Sequence, residues 1–120
     1  MINKPLSPQI DDYTFGQIVI DGEIYINDVI IFPGRVMSNW WRDQGHALSV
    51  DDLQDVLAAS PQVLIIGRGA NGRMSVPAST RNHVEEQGIE VVIHKTEKAC
   101  QVYNQISGEK EAVAALHLTC

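Results

Sequence analysis

The chain has 120 residues, 44% hydrophobic and 20% charged, with a net charge of −6. That length supports one hydrophobic core and so one domain. The acidic balance argues against nucleic acid and against an anionic membrane surface, since both favour a basic partner, and no apolar run approaches the roughly 20 residues that span a bilayer.

Residues 1–12, which contain Pro5 and Pro8, read as a flexible arm before a single domain over 13–120. The opening Met1-Ile2-Asn3-Lys4-Pro5 has no basic stretch leading into an apolar one, so no signal peptide is expected and the expected location is cytoplasmic. Two β-rich runs, Tyr13 to Ile20 and Glu23 to Phe32, flank Asp21-Gly22. Asp-Gly there is a hairpin signal, because both turn positions must accept positive φ. Ile18 and Ile20 are expected to face Ile24 and Ile26 across the turn. Asn27-Asp28 interrupts the second run and marks a bulge or bend; Pro33-Gly34 ends it.

Arg35 to Leu48 has no clean period and reads as a long irregular loop, the kind that packs over a core or carries function. It holds Trp40-Trp41-Arg42. One tryptophan is expected to close the core and the other to lie across the surface under Arg42. Ser49 then caps a helix, with Asp52 completing a capping-box pattern and Val50, Leu53, Val56 and Leu57 as its buried stripe. Ser60-Pro61 stops it.

The next strand, Gln62 to Ile66, is the centre of the reading. Four consecutive apolar residues, Val63 to Ile66, suit a strand covered on both faces in the middle of a sheet. A second helix starts near Pro77 and runs to Gln87, with Gly88 as its C-terminal cap. Ile89 to His94 is a strand. Thr96 caps a third helix whose inner face is Ala99, Val102, Tyr103 and Ile106, and Gly108 ends it. Ala112 to Leu118 is a last buried strand. The order β-β-loop-α-β-α-β-α-β gives an α/β domain: a sheet with parallel pairs flanked by helices, and an N-terminal hairpin that packs separately or extends the sheet.

The turn after the central strand, Gly67-Arg68-Gly69-Ala70-Asn71-Gly72, matches G-x-G-x-x-G. A dinucleotide site needs a helix opening inside that turn. Pro77 arrives five residues after the third glycine, so the Rossmann reading fails. The glycines read as permitting a tight crossing over the sheet end. A softer reading remains. Arg68, Arg73 and Arg81 fall in one 14-residue window with Asn71, Ser75, Ser79 and Thr80. The carboxyl end of a buried strand beside a helix N-terminus suits a small anion or an acidic patch on a partner. The alternative is that these arginines pair with surplus surface acids. The candidate contact residues are therefore Gly67, Arg68, Gly69, Asn71, Arg73 and Ser79, joined by Trp40, Trp41 and Arg42 of the long loop.

Cys100 falls at the edge of the last helix's buried stripe. It reads first as a small core residue and second as a reactive thiol, which would need a positive or basic neighbour such as His94. Two cysteines, Cys100 and Cys120, make no disulfide scaffold. His46, His83, His94 and His117 show no metal spacing; His117-Leu118-Thr119-Cys120 offers at most two ligands. No metal, cofactor or complete catalytic constellation is expected.

Several short motifs taken together resemble the Mth938 domain family. They are Val-Leu-Ile-Ile-Gly-Arg-Gly at 63–69, Val76-Pro77 before a short helix, and Gly88-Ile89-Glu90-Val91. Thr96-Glu97-Lys98-Ala99 with Tyr103-Asn104 and the ending Thr119-Cys120 follow, with Pro33-Gly34 and Trp41-Arg42 in matching places upstream. The resemblance implies a three-layer α/β fold of its own, with a central mixed sheet flanked by helices. Family members include an adipogenesis-associated protein and an assembly factor for respiratory complex I, which implies protein partners rather than a reaction. The absence of a mitochondrial presequence aligns the chain with cytosolic and bacterial members. No catalytic residue carries over. Two functions follow as expectations: a non-enzymatic interaction or assembly module using the two tryptophans and Arg42, or a small enzyme or anion binder using the end of the central strand.

Overall fold

The computed structural model describes residues 7–120. Five strands precede the first helix. β1 (Ile10–Thr14), β2 (Gln17–Ile20) and β3 (Glu23–Tyr25) make a small antiparallel sheet. β4 (Val29–Phe32) and β5 (Arg35–Met37) join β6 (Val63–Arg68), β7 (Glu90–His94) and β8 (Ala112–His117) in a five-stranded mixed sheet of order β5-β4-β8-β6-β7. The pairs β6–β7 and β6–β8 are parallel; β4 runs antiparallel to β8 and to β5. The described residues also form three α-helices: α1 (Gln54–Ala59), entered through a 3₁₀ turn at Val50–Leu53, α2 (Ala78–Glu86) and α3 (Thr96–Ile106).

The two faces of the large sheet carry separate cores, and strand alternation assigns residues to each. Val63 and Ile65 of β6, with Ala114 and Leu116 of β8, pack against Ala99 and Tyr103 of α3 and Ile18 and Ile20 of the small sheet. Leu64 and Ile66, with Val113 and Ala115, pack against Leu53, Val56 and Val84 of the other helices and against Trp40. Both faces of β6 and β8 are covered, which is why neither strand alternates in polarity. Five strand positions of β6 are buried, and the strand lies inside the sheet next to β8, the middle strand.

The Asp21-Gly22 turn forms as its chemistry requires, with φ of +49° and +80°. That two-residue turn fixes Ile20 opposite Glu23 and Val19 opposite Ile24. Ile24 therefore shares a face with Val19, not with Ile18 and Ile20. Ile24 and Ile26 are exposed, and Tyr25 takes the inward position opposite Ile18. The run Glu23 to Phe32 is two strands in two sheets, broken at Asn27-Asp28. Tyr13 to Ile20 is likewise divided, by a turn at Gly16 with φ +80°.

Other boundaries move as well. The first three residues of β1, Ile10 to Asp12, lie within the segment read as a flexible arm. Ile10 N–H donates to Asn104 Oδ1 (2.9 Å), and the buried Tyr103 hydroxyl donates to Pro8 O (2.7 Å), so α3 holds this segment in place. Residues 1–6 of that arm lie outside the described residues. Arg35–Met37, read as the start of an irregular loop, pairs with β4 across Pro33-Gly34. Thr96 does not cap α3 but is its first residue, with Lys95 before it, and its hydroxyl is directed elsewhere.

Candidate functional site at the sheet end

The carboxyl ends of β6 and β8 and the amino end of β4 meet at one edge of the large sheet, since Arg68 pairs with His117 and Val29 with Leu116. Two loops close that edge. One is the glycine loop after β6. The other is the segment from Ser38 to Leu48.

In the glycine loop almost every backbone donor is engaged. Gly69 N–H donates to Thr96 Oγ1 (2.8 Å), Ala70 N–H to Thr119 O (2.6 Å) and Gly72 N–H to Gly69 O (3.3 Å). Arg73 N–H donates to Cys120 O (2.9 Å), Met74 N–H to Arg68 O (3.1 Å) and Ser75 N–H to His46 O (2.8 Å). A phosphate-binding turn needs such groups free. Here those of Ala70 and Arg73 hold the chain after β8, and the others bond Thr96, His46 and the loop itself. Gly69 sits at φ +100°, and a Cβ there would lie 2.3 Å from the Cys120 carbonyl carbon. Gly67 is required for a different reason: a Cβ would meet Thr96 Oγ1 at 2.8 Å and Leu116 Cδ2 at 2.9 Å.

The side chains expected to bind an anion there are not gathered. Arg68 is half-buried and its Nε–H donates to Met74 O (2.7 Å), bracing its own loop. Asn71, Arg73 and Ser79 are not buried, and Ser79 lines a different pocket with Pro77 and Thr80. Arg81 pairs with Glu85 one helical turn on, at 3.2 Å. The free anion cradle inferred from the spacing is thus occupied by the protein's own backbone.

The second loop adds a side-chain cluster to its backbone bonds. Trp40 is buried, its indole N–H donating to Asp52 O (3.0 Å) and its backbone N–H to Asp28 O (2.9 Å). The Arg42 guanidinium lies over the Trp40 ring, 4.9 Å from its centroid. Trp41 is 81% exposed. The buried tryptophan, not the surface one, is therefore the one beneath Arg42, because Arg42 turns inward to reach a charge. Arg42 Nη1 lies 2.7 Å from Asp28 Oδ2, and Arg42 Nη2 donates to Gly45 O (3.2 Å). Asp28 Oδ1 accepts from Leu118 N–H (2.7 Å). His117 Nδ1 stands 2.8 Å from Asp28 Oδ2 and 3.0 Å from Arg42 Nη2. Asp28 Oδ2 and Arg42 Nη2 make opposite demands on Nδ1: it donates to the carboxylate in one tautomer and accepts from the guanidinium in the other. Burial alone would raise the Asp28 pKa; the hydrogen bonds from His117, Leu118 and Arg42 outweigh it and hold the carboxyl below its usual value.

Asp28, Arg42 and His117 line one wall of a cleft of about 380 Å³, with Ile26, Asn39, Trp41 and Thr119 among its other walls. Of the predicted site residues, the structure brings Trp40, Trp41 and Arg42 together here. Asp28 and His117 are the partners that sequence reasoning did not single out as a pair. Two signals pointed to them: the polar interruption at Asn27-Asp28, and a histidine ending an otherwise apolar strand.

The family model described as a protein of unknown function (DUF498/DUF598) matches residues 10–118. The chain belongs to this family. Its fold is the Mth938-like one that the sequence motifs suggested. It is similar to a conserved hypothetical protein, PH1505, from Pyrococcus horikoshii, at 28% identity and TM-score 0.79 over 93% of this chain and 99% of that one. A Mth938-like domain protein from Bordetella pertussis matches at 21% identity and TM-score 0.76, over 98% of this chain and 89% of that one. A Bartonella henselae chain described as an outer membrane protein matches at 21% and 0.81, over 98% and 100%. In this DUF498/DUF598 chain no helix among the described residues is long and apolar enough to cross a membrane.

Cys100 is buried on α3, beside Ile10 and Tyr13 of β1. Burial, with Glu97 nearby, pushes its thiol up to about 12, so it sits in this family member as a neutral core residue rather than a nucleophile.

Proposed function

We propose that this DUF498/DUF598 protein is a non-enzymatic interaction module, of the assembly-factor kind, that docks a protein through Trp41 in the cytoplasm. The observation that carries the reading is the contrast between adjacent tryptophans: Trp40 is 5% exposed and Trp41 81%. The backbone that presents Trp41 is fixed on both sides, by Trp40 against Asp28 and Asp52 and by Arg42 against Asp28. A large aromatic held in place loses little entropy on binding, the property of an interface anchor. Asp43, Asp51 and Asp55 lie with Trp41 around a shallow depression, and none of the three pairs with a cation among the described residues. Charge complementarity then favours a partner face bearing lysine or arginine.

The test is affinity purification from native cells, with Trp41→Ala and Asp43→Asn/Asp55→Asn beside the wild type. A specific partner should be recovered with the wild type, lost with Trp41→Ala, and released by salt more readily from the aspartate variant. All variants should melt within a few degrees of the wild type, because exposed substitutions change stability by about 0.5 kcal/mol or less. Equal recovery of the same proteins by wild type and Trp41→Ala would sink the reading.

A further inference from the structure

Among the described residues the two sheets end in β1, β3, β5 and β7. Most of these edges are blunted. β3 and β5 are three residues long. β1 has a register shift between Ile10 and Asp12 and carries two adjacent aspartates, Asp11 and Asp12. β7 is different. It runs five residues in unbroken parallel register with β6, without proline, lysine or bulge. Its middle, Val91-Val92-Ile93, is β-branched throughout, which suits a strand. Proteins usually blunt or cover such an edge, because its outward backbone groups template pairing with another chain.

One bond fixes which groups point outward. Glu90 N–H donates to Gln62 O (3.0 Å), so Glu90, Val92 and His94 turn their backbone groups towards β6. Val91 and Ile93 turn theirs away, and neither has a backbone bond to a turn or loop among the described residues. The helices take the two faces of the strand. Val91 belongs to the core with Val84 of α2, and Val92 packs on the core that holds Ala99 and Tyr103 of α3. Val92, Ile93 and His94 stay partly exposed.

We propose that β7 pairs antiparallel with β7 of a second copy, about a two-fold axis at Val92, so that the two large sheets join. The strand is self-complementary in that register, as an interface between identical copies must be. Each Val91 exchanges both backbone hydrogen bonds with Ile93 of the other copy, which uses the outward groups. Val92 faces Val92, an apolar pair. Glu90 faces His94 on both sides of the axis, a carboxylate opposite a ring N–H that the imidazole carries in either protonation state. Glu90 is available for this: its contact with Lys110 is 3.5 Å long and its side chain is 59% exposed. A slip of one residue would set outward backbone groups against inward ones. A parallel neighbour in register would set Glu90 beside Glu90. The surface is also separate from the Trp41 loop, since β8 and β6 lie between β7 and β4.

Sedimentation equilibrium of the full chain measures the association, and amide hydrogen exchange followed by NMR locates it. The wild type should pass from monomer to dimer between micromolar and millimolar concentration. In dilute solution the Val91 and Ile93 amides should exchange faster than those of Val92 and His94; in concentrated solution they should become protected. A chain that stays monomeric at millimolar concentration overturns the proposal, even if a different protein is found on this edge. A dimer that leaves Val91 and Ile93 unprotected lies elsewhere and overturns it too. Charge variants test the register. His94→Glu sets two carboxylates opposite each other on both sides of the axis and should weaken dimerisation about tenfold. Adding Glu90→Lys restores opposite charges and should recover the affinity. A folded His94→Glu that dimerises like the wild type, or a double variant no tighter than the single one, overturns the antiparallel register. The wild-type exchange pattern decides the matter even if a variant does not fold.

Discussion

The two loops that close the same edge of the large sheet do so by different means. The glycine loop is fastened by backbone: its N–H groups reach Thr96, Thr119, Cys120 and His46. The Ser38–Leu48 loop has backbone bonds at Trp40, His46 and Leu48, and adds a side-chain cluster in which Arg42 and His117 converge on Asp28. Backbone closure saturates the groups that make it. Side-chain closure leaves edges over, here the Arg42 Nε and His117 Nε2 atoms. The stretch with the more suggestive sequence is therefore structural, and the irregular one carries the unpaired polar atoms.

The largest effect should come from adding a side chain to the glycine loop. Gly69→Ala combines a φ of +100° with backbone atoms of Thr119 and Cys120 within 2.7 Å of the new Cβ. Strain and overlap together should cost about 4 kcal/mol or more. Gly34 provides the control. It also has positive φ, +91°, but nothing lies within 4 Å of its Cβ position, so Gly34→Ala should cost only about 1 kcal/mol. Urea unfolding of the two variants measures the contrast. Equal losses would mean that the chain after β8 yields easily, and the loop would no longer count as backbone-locked.

Next in size is the ion pair. Arg42→Met removes one partner and leaves the Asp28 carboxylate largely buried, which should cost about 3 kcal/mol at pH 7. The pH dependence identifies the cause. A depressed carboxyl pKa in the folded state gives stability that is present above the unfolded value of about 3.9 and is lost as pH falls through the folded value. In Arg42→Met the uncompensated charge disappears once Asp28 is protonated. The gap between wild type and variant should therefore narrow as pH falls from about 5 to 3. A gap that stays constant over that range would assign the loss to packing of Arg42 on Trp40, not to charge.

How much of this was legible in the sequence follows the same division. Local signals held. The Asp21-Gly22 turn, the proline before α2, the glycine after it and the unbroken apolar runs of β6 and β8 all have the structure their chemistry implies. Failures came where the outcome depends on residues far apart. Glu23 to Phe32 is uniformly β-rich, and nothing local says that its halves enter different sheets. Asp28 and His117 are 89 residues apart and meet only because β4 pairs with β8. Periodicity reports which face a residue takes, not which distant residue shares that face. The G-x-G-x-x-G pattern misled in the opposite sense. It counts glycines correctly but is blind to the distant residues, Thr96, Thr119 and Cys120, that take the N–H groups of Gly69, Ala70 and Arg73.

Thr96 links the two regions and should give the smallest of these effects. Its buried Oγ1 accepts from Gly69 N–H at 2.8 Å and donates to His117 O at 2.6 Å, joining the glycine loop to the strand that carries the histidine. Thr96→Val keeps the shape and removes both bonds. The buried Gly69 N–H is then orphaned, so the change should cost about 2 kcal/mol. Thr96→Ser retains the hydroxyl and loses one methyl, for about 1 kcal/mol. The sharper readout is local. Hydrogen exchange at Gly69 should accelerate in Thr96→Val beyond what its global stability loss accounts for, and should do so less in Thr96→Ser. If the Gly69 amide stays as protected as its neighbours, the loop is held by Thr119 and Cys120 alone. The histidine would then be positioned without any help from the glycine turn.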